Sequence, residues 1–90
     1  MTKLCFAIRA GAYYDSLTLM QVQQSLLQLP GVLETGVVMG TQGNLDMLML
    51  SGLVVQRPSG VRPEDLVIVV KAESGEAGES ALAQIDDLLT

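Results

Sequence analysis

Ninety residues make a single domain, long enough to bury roughly 60–65% of the surface its unfolded chain exposes. With 49% apolar and only 17% charged residues, the composition excludes a disordered chain. The net charge is −5, and the five basic residues (Lys3, Arg9, Arg57, Arg62 and Lys71) are dispersed, so a nucleic-acid or anionic-membrane surface is not expected.

The chain contains no histidine, which removes the commonest general acid–base and metal ligand at neutral pH. Its single cysteine, Cys5, cannot form an internal disulfide, and no secretory signal precedes it, so a reducing cytoplasm is the expected location. Ser16 to Leu33 is uncharged but broken by Gln21, Gln23, Gln24 and Gln28, which argues against a membrane span.

Lys3–Ala10 alternates Leu4, Phe6 and Ile8 against Cys5 and Ala7, a strand with two apolar faces, ended by Gly11-Ala12. Asp15 or Ser16 is placed to cap a helix carrying Leu19, Val22, Leu26 and Leu29, which Pro30-Gly31 stops. Val32–Met39 reads as the second strand, with Gly36 as a bulge or close-approach position. Gly40-Thr41-Gln42-Gly43-Asn44 forms a turn, with Asn44 capping a short helix over Leu45–Ser51.

From Leu53 to Pro63 the chain reads mostly as loop, although Leu53-Val54-Val55 could form a short edge strand. Leu66–Val70, an unbroken apolar run after Asp65 that is β-branched from Val67 on, suits a central strand buried on both faces. A last helix opens at Glu73-Ser74-Gly75 and presents Ala81, Leu82, Ile85, Leu88 and Leu89. Asp86 and Asp87 near its end oppose the helix dipole, which would be relieved if the helix continued in a longer chain.

Strand–helix alternation predicts a small βαβαβα sandwich over residues 1–90 with a mostly parallel three-stranded sheet and right-handed crossovers. A ferredoxin-like arrangement with Leu53-Val54-Val55 as a fourth short strand is the alternative. Beyond the carboxyl ends of the first two strands lie Tyr14, Asp15 and Ser16, and then Gly40, Thr41 and Asn44. If those strands are neighbours, the two turns line one crevice, the usual place for a ligand in an open α/β sheet. The competing reading gives Asp15, Ser16 and Asn44 to helix capping alone. In a parallel sheet Glu64 and Asp65 would lie at the opposite end, as a turn signal after Pro63. No nucleophile–base pair can be assembled, no metal set is present, and Cys5 has no histidine to activate it. No catalytic site is expected in this chain.

Tyr14-Asp15-Ser16-Leu17-Thr18-Leu19-Met20, then Val38-Met39-Gly40-Thr41 with Asn44, Gly52-Leu53, Pro63-Glu64-Asp65-Leu66 and Ala72-Glu73-Ser74 occur in an order and spacing that resemble the N-terminal domain of FdrA-like proteins. These are larger proteins related to the succinyl-CoA synthetase α subunit. They include acyl-CoA synthetases and, in purine catabolism, subunits of oxamate carbamoyltransferase.

The resemblance runs from about residue 10 to the end and lacks the CoA-binding and ligase regions. It implies an accessory or ligand-binding domain that works with a catalytic subunit or the remainder of a larger chain. Any CoA or nucleotide would then belong to the parent enzyme rather than to this domain. A regulatory ligand-binding module or a homo-oligomerisation domain is the alternative, since Leu and Met exceed what so small a core needs.

Overall fold

A computed structural model describes residues 2–54 and 59–89. In chain order the elements are β1 (Lys3–Arg9), α1 (Ser16–Leu27), β2 (Val32–Met39), α2 (Gln42–Leu50), β3 (Leu66–Ala72), α3 (Gly75–Ala83) and α4 (Ile85–Leu89). Asp15 caps α1, accepting the Thr18 N–H at 2.8 Å, and the helix buries Leu19, Val22 and Leu26 along one stripe. Pro30 and Gly31 prevent its continuation and turn the chain into β2.

The three strands form one sheet in the order β1-β3-β2, and β3 is antiparallel to both neighbours. This corrects the expectation of a mostly parallel sheet. β1 and β2 do run in the same direction, joined by α1, but β3 lies reversed between them as in a split βαβ unit. The physical reason is the second connection. It leaves and returns at the same end of the sheet, where the Gly40 N–H donates to the Asp65 carbonyl at 2.8 Å, so α2 is not a crossover helix.

The fourth strand of the ferredoxin-like alternative is not formed at Leu53 or Val54. Both N–H groups donate to the Leu48 carbonyl, at 3.1 and 3.3 Å, and close the end of α2; Val55 lies outside the described residues. The final helix also differs from expectation. It breaks at Gln84, and Asp86 and Asp87 fall in the first turn of α4, where negative charge is favourable.

Alternation along β3 divides the core in two. Leu66, Ile68, Val70 and Ala72 face a cluster with Leu19, Val22, Leu26, Ala81 and Ile85 from α1, α3 and α4. Val67 and Val69 face the other way, against Leu45 and Leu48 of α2 and Leu53. Each of the fully buried Leu, Ile and Val side chains contributes about 1.5–3 kcal/mol, so β3 is the organising element of the fold. Gly36 is the close-approach position anticipated in β2. A Cβ there would stand 2.8 Å from the Leu48 Cδ2 and force that side chain to shift. The β2 irregularity itself falls earlier, between Val32 and Glu34.

Candidate functional site

β1 and β2 are not the neighbours that the shared crevice was expected to need, since β3 lies between them. They nevertheless run in the same direction and so bring the two predicted turns to one side of the molecule. Between them opens a shallow cavity of about 390 Å³, within the range of small-molecule sites. Tyr13, Tyr14, Ser16, Gln23, Met39 and Asn44 contribute to its wall, and among the described residues its lining carries no charged side chain.

Of the six predicted site residues, Tyr14, Ser16 and Asn44 reach this cavity, while Asp15, Gly40 and Thr41 do not line it. The Asp15 carboxylate is occupied by capping α1. Hydrogen bonds from the Thr18 hydroxyl and N–H hold its carboxyl below the ordinary range. Thr41, rather than the expected Asn44, caps α2, accepting the Asn44 N–H at 3.3 Å. The Asn44 side chain instead donates from Nδ2 to the Met39 carbonyl at 2.9 Å, which fixes its amide at the cavity wall. Gly40 has no room for a side chain, since a Cβ would overlap Val61 and the Arg62 carbonyl. It lets the 61–65 segment close over the end of β2.

Two residues were missed by sequence reasoning. Gln23 was read only as one of the glutamines that break the uncharged 16–33 stretch, yet its Oε1 accepts the Val37 N–H at 3.2 Å and its carbonyl accepts the Thr35 hydroxyl at 3.3 Å. It ties α1 to β2 and forms part of the cavity wall.

Asp65 was expected at the opposite end of a parallel sheet. The antiparallel β3 starts instead beside the ends of β1 and β2. Asp65 is 4% exposed; its Oδ1 accepts the Gly11 N–H and its Oδ2 the Arg62 N–H, each at 3.0 Å. The Gly11 and Arg62 backbone donors, with the Arg62 guanidinium at 3.7 Å, hold its carboxyl below the ordinary range despite burial. Asp65 thus joins the ends of all three strands beneath the candidate site. Its turn role after Pro63 stands, since its N–H also donates to the Arg62 carbonyl at 2.9 Å.

A second hollow, of about 350 Å³, lies between the end of α1 and the start of α3 beside Pro30, Ser74 and Gln84. The Ser74 hydroxyl there is already capping α3, accepting the Ala77 N–H at 3.2 Å. Cys5 is half-buried on β1 and faces Gly78 of α3. Among the described residues no three His, Cys, Asp or Glu side chains converge on a point, and no helix is long and apolar enough to cross a membrane.

Comparison with known proteins agrees with the picture of a small module. An uncharacterized protein of Escherichia coli strain K12, YahF, is 32% identical over 81 residues, covering 90% of this chain but only 16% of that protein. The chain therefore spans about a sixth of this relative's length. No solved structure matches significantly. All of residues 1–90 match the N-terminal family described as "AllF, heavy metal-associated domain", and the chain belongs to that family.

Proposed function

We propose that this domain is a non-catalytic accessory module of a larger FdrA-like acyl-CoA synthetase or carbamoyltransferase-type enzyme, and that it binds a small neutral ligand. The observation that carries the ligand reading is the cavity between the two strand-end turns. A phenol, a hydroxyl and an oriented amide from Tyr14, Ser16 and Asn44 share its wall with the apolar Leu19, Met20 and Met39. A wall of that character suits an uncharged molecule that is part amide and part apolar, whereas a phosphate or the pyrophosphate of CoA would meet no cation there. Membership of a family of N-terminal domains, and a relative six times longer, support the accessory role.

The family description speaks of heavy metals, but the donors of this chain do not fit one. Soft metal ions are held by several thiolates, imidazoles or thioethers, and this sequence offers one cysteine and no histidine, with only the thioethers of Met20 and Met39 in the cavity wall among the described residues. That cysteine points towards α3 rather than into the cavity. No step in the proposed function passes through a metal.

Thermal unfolding with small amides and ureides, acyl-CoAs, nucleotides and carbamoyl phosphate tests the reading. A neutral ligand at a hundredfold over its dissociation constant should stabilise the domain by about 2.7 kcal/mol. The same ligand should fail to stabilise the Asn44→Ala variant. Stabilisation by the phosphorylated compounds alone, or by none, would contradict it.

A further inference from the structure

The two edges of the sheet are finished differently. On β2 the Gln23 side chain takes the Val37 N–H, and a register irregularity bends the strand near its start. Both features discourage a further strand. β1 pairs with β3 in unbroken register from Lys3 to Arg9, a straight seven-residue edge without proline or bulge. Leu4 and Phe6 on it are each 42% exposed, on the sheet face where α2 and Leu53 cover Val67 and Val69. Edges of this length and character are normally covered.

The order of residues along β1 indicates what covers it. Lys-Leu-Cys-Phe-Ala-Ile-Arg has the same chemical sequence from either end: basic, branched aliphatic, small, aromatic, small, branched aliphatic, basic. We propose that β1 pairs antiparallel with β1 of a second copy of this chain, about a two-fold axis at Phe6, giving a continuous six-stranded sheet.

In that register Phe6 faces Phe6 of the second copy, Leu4 faces Ile8, and Cys5 faces Ala7. The large side chains gather on the open face and the small ones lie beside α3, where space is short. Lys3 faces Arg9 of the second copy, and that arginine already holds Asp86 at 3.0 Å with the carboxylate 76% exposed. Lys3, Arg9 and Asp86 all lie on the α3 side, so the second copy's Asp86 offers Lys3 a counter-ion and offsets the like charges. The contact is self-complementary, as a two-fold interface must be. This proposal rests on the sheet edge and is independent of the ligand cavity.

Sedimentation equilibrium from micromolar to near-millimolar chain tests it, with circular dichroism to confirm folding. The expected result is a concentration-dependent dimer that Phe6→Glu weakens at least tenfold, by setting two carboxylates face to face. Directly opposed residues have Cα atoms about 4.5–5.5 Å apart, within reach of a disulfide. In a Cys5→Ser background, Phe6→Cys should therefore cross-link under mild oxidation much faster than Gln24→Cys on the exposed side of α1. A chain that is monomeric throughout overturns the proposal and leaves the edge to some other segment. A dimer indifferent to Phe6→Glu, or cross-linking no faster at position 6 than at position 24, overturns it equally.

Discussion

The two outer strands of this sheet share a central neighbour and a direction, yet they meet their surroundings in opposite ways. β2 is pinned: Gln23 reaches from α1 to its backbone, Gly36 admits α2, and Gly40 is clasped by the 61–65 segment. β1 is covered by α3 on one face and left largely bare on the other. The pinned side carries the cavity, and the bare side carries the self-complementary edge. A small domain has too few residues to cover every surface of a three-stranded sheet, so an exposed apolar edge is where a partner is most economically received.

The largest effect should come from the core shared by both sides. Leu26→Ala removes a fully buried side chain beneath α1 and should cost about 2–5 kcal/mol, read as a lower urea midpoint at unchanged slope. Asp65→Asn should come next, because an amide cannot accept both the Gly11 and Arg62 N–H groups as the carboxylate does. Its pH signature follows from the sign of the shift. The folded carboxyl has a lowered pKa, so its contribution is complete above the unfolded value of about 3.9 and is lost as the pH falls below it. The gap between the unfolding midpoints of wild type and Asp65→Asn should therefore narrow as the pH falls from neutral through the unfolded carboxylate range towards the lowered folded value. A constant gap would show that the carboxylate's charge is not what matters.

Gln23→Ala sharpens the comparison further. It leaves the Val37 N–H without its side-chain partner and should cost about 1–2 kcal/mol in thermal unfolding, while weakening any ligand of the adjacent cavity. Phe6→Ala, on the bare edge, should cost the least, about 1 kcal/mol or less in dilute solution. A loss from Phe6→Ala as large as that from Leu26→Ala would break the distinction between the two sides.

Much of this was legible in the sequence, and the failures have particular causes. Periodicity and breakers located all three strands and the main helices, and the Asp15-Ser16 pair announced the start of α1, which Asp15 caps. Leu66–Val70 was correctly read as central and buried on both faces, because an unbroken apolar run rich in β-branched residues has no other comfortable place. Strand direction was not legible. It depends on whether the 40–65 connection returns to its starting end, which is decided by the Gly40–Asp65 contact between residues far apart in the chain.

That one error displaced Asp65 to the wrong end of the sheet. Gln23 was lost for a related reason: a glutamine among glutamines gives no sign that an edge strand stands within its reach. The 14–16 and 40–44 turns were expected to meet only if β1 and β2 were neighbours. β3 separates those strands, and the two turns share a side because α1 makes β1 and β2 run in the same direction.

Residue-resolved amide hydrogen exchange at low and high chain concentration tests the difference between the two edges most directly. The Val37 amide, held by Gln23, should be protected at both concentrations, while the β1 amides that do not donate to β3 should exchange freely when dilute and slow as concentration rises. Val37 exchanging as fast as the outward β1 amides, or β1 amides indifferent to concentration, would contradict the account.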